Sequence, residues 1–264
     1  GDANALFVDG TNNTVQGVNP GKVDITIRGP SYNGSLSLPA GSMTEKVVVA
    51  DNKFDAGEAG GMLSTGPARQ TSDQRAIDLI FERNYFLGSL SSIGAIGVNE
   101  SDVTIRNNII YLPGAGGSVI DVKDEGDFIT SPNDFTPVPN RVHVYNNSVY
   151  HGGSSAGYQW VFFKIIANYS ANWGSTFSSW NNLFYAPNKP LDLIFSVQDF
   201  YGTNSTITHG NNSGDAVADA HTNPFLTTPL SPASFTPSPS SYAFHGGIPL
   251  LGLYTDFFGN YRSS

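Results

Sequence analysis

Apolar and polar residues alternate along short stretches of this chain, and six of those stretches end on asparagine in the same frame. They are VVVADNKF (47–54), LIFERNYF (79–86), VTIRNNII (103–110), VHVYNNSV (142–149), FSSWNNLF (177–184) and TITHGNNS (206–213). The alternation is that of a half-buried β-strand, with Val47/Val49, Leu79/Phe81, Val103/Ile105 and Val142/Val144 turned inward. The aligned asparagines are Asn52, Asn84, Asn108, Asn147, Asn182 and Asn212, which stand 24 to 39 residues apart. A fixed local frame recurring at the length of one supersecondary unit predicts stacked parallel coils joined by loops of unequal length. Two residues beyond the asparagine come Phe54, Phe86, Ile110, Val149 and Phe184, an apolar column that breaks only at Gly214. Side-chain amides stacked in this way can hydrogen-bond up and down the column, as asparagine ladders do in cross-β structures. The competing reading, an N-N turn in an ordinary sandwich, does not explain five good matches to a six-position frame.

A second series of strands follows the loops: GMLST (61–65), AIGVN (95–99), VIDVK (119–123), VFFKI (161–165) and LIFSV (193–197). Alternation puts Ile96, Val98, Ile120, Val122, Val161, Phe163, Leu193 and Phe195 inside, and Asp121, Lys123, Phe162, Lys164, Ile194 and Ser196 outside. Aligned so, Lys123 and Lys164 are expected to face out on adjacent coils, about 4.8 Å apart. Like charges that close lower one lysine's pKa, and with Asp121 beside them they make a proton abstractor. The competing reading is a set of weak surface ion pairs with Asp121, Asp124 and Glu125. On the ladder-side strands the outward residues are Ile80/Glu82, Thr104/Arg106, His143/Tyr145 and Ser178/Trp180. Arg106, Tyr145 and Trp180 in one column form a stacking strip for sugar rings, with Glu82 and His143 as polar readers. Against that stands a plain cross-strand ion pair between Glu82 and Arg106. Tyr158, Trp160 and Trp173 bracket the Lys164 strand and are further stacking candidates.

The repeated [VI]-x-[VI]-x-N-N-x-[FIV] frame resembles the right-handed parallel β-helix of pectate-lyase-like proteins, over residues 6–215. In that family an asparagine ladder marks the tight turn between the second and third strands of each coil. The tail, with NPFL (223–226), SPASF (231–235), HGG (245–247) and DFFGNYR (256–262), is similar to the closing segment of secreted bacterial β-helix proteins. The resemblance implies an all-β fold, a right-handed parallel β-helix of roughly seven to eight stacked coils over 1–221. Residues 222–264 are then an extended C-terminal wrap of the same domain. It also implies an active groove on the first sheet, where several polysaccharide lyase families use a Lys/Arg pair for β-elimination. Carried onto this chain, the catalytic group is Lys123, Lys164, Arg141 and Asp121. The substrate-binding group is Trp160, Tyr158, Trp173, Arg106, Tyr145 and Trp180. Neither the paired aspartates of polygalacturonase-like hydrolases nor a clear lyase box is present. The fold itself hosts lyases, hydrolases, epimerases, tailspikes and adhesins. The expectation is a secreted or cell-surface polysaccharide-degrading, lyase-like protein. The alternative is a non-catalytic structural or adhesive solenoid, such as a fibre, tailspike segment or filament subunit.

Composition narrows the partners. Of 264 residues only 13% are charged, against about 25% in ordinary domains, while 29 glycines suit a chain of stacked turns. A net charge of −9, from 13 basic and 22 acidic residues, argues against nucleic acid as the main partner. The longest apolar run, WVFFKII (160–166), is interrupted by Lys164 and predicts no membrane span. There is no cysteine and hence no disulfide or thiol chemistry. The opening GDANALFVDG has neither the basic nor the apolar region of a signal peptide, and the capping helix usual in the family is missing. A removed leader or a longer parent chain is therefore expected. The loop at 124–140 collects acids, and Asp124, Glu125 and Asp127 are the candidates for Ca²⁺. Their spacing fits no EF-hand or RTX loop, so a solvated acidic loop and no obligatory cofactor are expected. Five prolines within 222–241 predict an extended segment. The partners expected are a polysaccharide and further copies meeting at the solenoid ends.

Overall fold

The computed structural model describes residues 6–7, 14–16, 25–28, 36–38, 47–55, 63–65, 76–88, 95–99, 101–114, 119–124, 141–153, 163–167, 176–188, 195–199, 206–212, 221–227, 229, 231–241, 247–248, 250 and 255–261. Within them the regular elements are all strands, apart from one 3₁₀ turn at Pro232–Phe235. Every strand pairs in parallel with the third strand before or after it, so the chain visits three sheets in fixed rotation.

The first sheet takes β1 (Leu6–Phe7), β4 (Leu36–Leu38), β7 (Leu63–Thr65), β10 (Ile96–Asn99), β13 (Ile120–Asp124), β16 (Phe163–Ala167) and β19 (Phe195–Asp199). The second takes β2 (Thr14–Gln16), β5 (Val48–Ala50), β8 (Ala76–Glu82), β11 (Ser101–Arg106), β14 (Arg141–Tyr145), β17 (Thr176–Trp180) and β20 (Thr206–Gly210). The third takes β3 (Ile25–Arg28), β6 (Asn52–Asp55), β9 (Tyr85–Leu87), β12 (Ile109–Leu112), β15 (Ser148–His151) and β18 (Leu183–Tyr185). This topology is compatible with a parallel β-helix.

Why the chain bends between the second and third sheets is written in two residues. The first adopts the left-handed conformation, as Asp51, Arg83, Asn107, Asn146, Asn181 and Asn211 all do at φ of 50 to 60°. Asparagine and aspartate tolerate that region because their short polar side chains bond locally; Arg83 does not share the advantage. The second residue is the ladder asparagine, and its side chain is buried at every rung. Along the column Asn52, Asn84, Asn108, Asn147 and Asn182 each donate backbone N–H and side-chain Nδ2 to Oδ1 of the next asparagine, at 2.9 to 3.2 Å. The remaining Nδ2 hydrogen goes back one circuit, for instance from Asn147 to the Ile105 carbonyl at 3.0 Å. Each turn thus closes its polar groups against its neighbours, as burial requires.

The inward residues of all three sheets form one apolar cluster. Leu63, Ile96, Val98, Ile120 and Val122 come from the first sheet, and Val49, Leu79, Phe81, Val103, Ile105, Val142, Val144 and Phe177 from the second. Phe54, Phe86, Ile110, Val149 and Phe184 come from the third. Phe54 and Phe86 stack with centroids 4.8 Å apart and planes 8° from parallel. An extra residue in β8, Asp78 at φ 54°, bulges out where the pairing shifts between Ser101 and Val103. It keeps Leu79 and Phe81 on the core side.

The outer face of the third sheet is covered by the tail. Phe225, Phe235 and Phe257 are buried against Tyr85 and Ile109, with Tyr111, Tyr150, Leu183 and Tyr185 packed around them. Two of the left-handed asparagines hold it: Asn107 Nδ2 donates to the Thr255 carbonyl at 2.9 Å, and Asn181 bonds both the carbonyl (2.7 Å) and the N–H (3.0 Å) of Ile248.

The register of the first sheet corrects one expectation. Lys164 lies opposite Asp121, and Lys123 lies opposite Ile166. The pairing slips by two residues from the alignment that set the lysines side by side, so they are diagonal rather than direct neighbours. The pairing rows across the sheet are Gly97–Asp121–Lys164–Ser196 and Asn99–Lys123–Ile166–Gln198.

Candidate functional site on the outer face of the second sheet

Strands β8, β11, β14, β17 and β20 present two outward columns. One runs Glu82, Arg106, Tyr145, Trp180, Gly210; the other runs Ile80, Thr104, His143, Ser178, Thr208. Both follow from period-two alternation once the core residues between them are fixed.

At one end the first column is an ion-pair chain. Arg106 donates through Nε to Glu82 Oε2 at 2.7 Å, Glu82 Oε1 accepts from Arg83 Nη1 at 2.6 Å, and Arg83 grips the buried Asp51 carboxylate at 2.9 and 3.0 Å. Burial alone would lower the Arg83 pKa; the hydrogen bonds that Arg83 donates to Asp51 and the charges of Glu82 and Asp51 outweigh it and hold the group above its ordinary value. Arg106, expected to contact substrate, is thus engaged within the sheet.

At the other end the column is aromatic. Gly210 is what lets Trp180 lie down: a Cβ there would stand 2.3 Å from Cζ3, 2.9 Å from Cε3 and 3.0 Å from Cη2 of the indole. One edge of the six-membered ring therefore fills the space that a side chain at position 210 would take, and Tyr145 occupies the neighbouring position on β14. A glycine interrupting a strand marks such a close approach.

Beside the aromatics, three polar groups close a triangle. His143 Nδ1 is 2.6 Å from Ser178 Oγ and 3.0 Å from the Tyr145 hydroxyl, which is 3.1 Å from Ser178 Oγ. The His143 and Tyr145 rings stack at 5.8 Å. The two hydroxyls bond to each other in either direction, and Nδ1 of a neutral imidazole accepts from one of them or, in the other tautomer, donates to it. Burial pushes the His143 pKa below 6.5, against the opposing pull of Asp102. The unfolded chain then takes up this proton first as pH falls, so folded stability declines as pH drops through the window just below 6.5. His143→Gln should flatten that part of the dependence, measured as the unfolding midpoint against pH in both proteins.

The other sequence candidates fall elsewhere. Arg141 opens β14 on the second sheet, 54% exposed and 3.5 Å from Asp102, not on the first sheet with the lysines it was expected to assist. Asp121 is half-buried on β13, in register with Lys164. Trp160, Tyr158 and Trp173 lie outside the described residues, as do Glu125 and Asp127; Asp124 ends β13. Among the described residues no group of three or more His, Cys, Asp or Glu side chains could hold a metal ion, and no helix is long and apolar enough to cross a membrane. Comparisons with protein-family models, curated proteins and solved structures give no match. Ser178 and Gly210 were not singled out from the sequence. Gly210 carried a signal, a glycine in the last strand of a column otherwise filled by large side chains.

Proposed function

We propose that this chain is a right-handed parallel β-helix of the pectate-lyase-like kind, secreted or displayed at a cell surface. Its work is to hold a polysaccharide, without cleaving it, along the outer face of the second sheet. The observation that carries this reading is the Trp180 ring laid over Gly210 in one column with Tyr145. A flat aromatic with hydroxyl and imidazole groups alongside is the composition that sugar rings pack on, apolar face to ring and hydroxyls to polar neighbours. β-Elimination on the first sheet has less support, because its base was to be a lysine activated by a directly opposed lysine. Register sets Lys123 against Ile166 instead.

Retention on a panel of insoluble polysaccharides tests the proposal. Trp180→Ala removes the ring, and Gly210→Ala lifts it off the sheet while leaving it in the chain. Both should weaken retention severalfold to about tenfold, the equivalent of roughly 0.5–1.5 kcal/mol of ring packing, with Trp180→Ala leaving the unfolding midpoint in place. Unchanged retention in both variants would remove the second sheet from consideration.

A further inference from the structure

We infer that the glycan held on this face is uncharged and extended, lies along the stacking axis, and is read by the column Thr104–His143–Ser178–Thr208. This deepens the glycan-binding reading and rests on it.

The first ground is charge. The cations described on this face each stand against a carboxylate: Arg106 on Glu82 and Arg83 on Glu82 and Asp51 at 2.6 to 2.9 Å, and the exposed Arg141 more loosely beside Asp102 at 3.5 Å. Asp78 adds an exposed acid, and the chain as a whole carries −9. Along the column itself, a uronate polymer would have to pull Arg83 or Arg106 from its carboxylate to be neutralised, leaving a buried or half-buried acid without its counterion. A neutral sugar asks for no such exchange.

The second ground is the reading column. Thr104, His143, Ser178 and Thr208 sit on four successive strands and carry hydroxyls or an imidazole, with no fixed charge. These groups both donate and accept, which matches sugar hydroxyls. Burial keeps His143 in its neutral form near pH 7. Neighbouring strands are spaced about 4.8 Å apart, close to the length that one pyranose adds to an extended β-linked glycan. A chain laid across the strands can thus present one sugar to each, with Tyr145 and Trp180 beneath the middle of the run.

Calorimetry on the full chain tests this with β-1,4-linked neutral oligosaccharides of two to six residues and with oligogalacturonates of the same lengths. Affinity should rise with neutral chain length and level off once the four strands are spanned. It should exceed the galacturonate hexamer by about tenfold or more, and stay level between about 0.05 and 0.5 M salt because no ion pair forms. Ser178→Ala should lower the neutral affinity severalfold. Tighter binding of galacturonate, lost in Trp180→Ala and falling with salt, would overturn the inference and leave the glycan-binding reading standing. Binding of neither series would bring down both.

Discussion

Replacing Asn147 by alanine is expected to destabilise the fold by about 3 kcal/mol or more, at about 1–3 kcal/mol for each of three buried groups left without a partner. The side chain accepts from the Asn108 backbone N–H and from Asn108 Nδ2, both at 2.9 Å, and donates to Asn182 Oδ1 and to the Ile105 carbonyl. Alanine strands the two Asn108 donors and the Ile105 acceptor in a site only 1% exposed, where water cannot reach them. Asn146→Ala, one residue earlier, is the control. It loses only the asparagine's tolerance of the left-handed backbone at φ 54°, worth about 1–2 kcal/mol. Urea unfolding of the two variants separates the effects. A cost below about 1 kcal/mol for Asn147→Ala would mean that the column is not holding the turns.

The second large effect is expected where the turn departs from its own pattern. Arg83 occupies a left-handed position at φ 52° that asparagine holds in later turns, and it is kept there by its double contact with Asp51, which is fully buried. Arg83→Asn relieves about 1–2 kcal/mol of backbone strain but takes the guanidinium from a buried carboxylate, at about 3–5 kcal/mol. The single variant should therefore be less stable by roughly 1–4 kcal/mol, the difference of those two ranges. Adding Asp51→Asn removes the charge and supplies a second tolerant residue, so the double variant should return to near the starting stability. A double variant no better than the single one would show that strain and charge at these two turns are not coupled.

Much of this fold could be read in the chain. The frame around Asn147 predicts its burial, its bonding and the inward turn of Val142 and Val144, because a buried amide and a period-two core leave few alternatives. The joint occurrence of two asparagines had a cause that the pattern alone did not reveal: the first bends the backbone and, at Asn107 and Asn181, fastens the tail. Between β13 and β16 the pattern failed for a definite reason. A slip of two residues returns every side chain to its own face, so VIDVK and VFFKI alternate equally well in either register. Only the strand pairing itself, which sets Phe163 opposite Ile120, distinguishes them, and the direct opposition of Lys123 to Lys164 fell with the discarded register. The face proposed to hold a glycan was half legible: the aromatic column followed from alternation, whereas the posture of Trp180 depends on the missing Cβ of Gly210.

The asparagine column also has a direction. From Asn84 to Asn212 each Oδ1 accepts from the circuit before it, and from Asn52 to Asn182 the backbone N–H and one Nδ2–H of each asparagine point onward, so along the column the amide dipoles add head to tail, as peptide dipoles do in a helix. The column is electronegative toward Asn52 and electropositive toward Asn212, and the two ends of the stack are chemically different surfaces. A mirrored, end-to-end twofold pairing would set like poles against each other. Any continuation of this column, by more of its own chain or by another copy, has to arrive in the same orientation, which is the geometry of open-ended assembly and not of a closed pair.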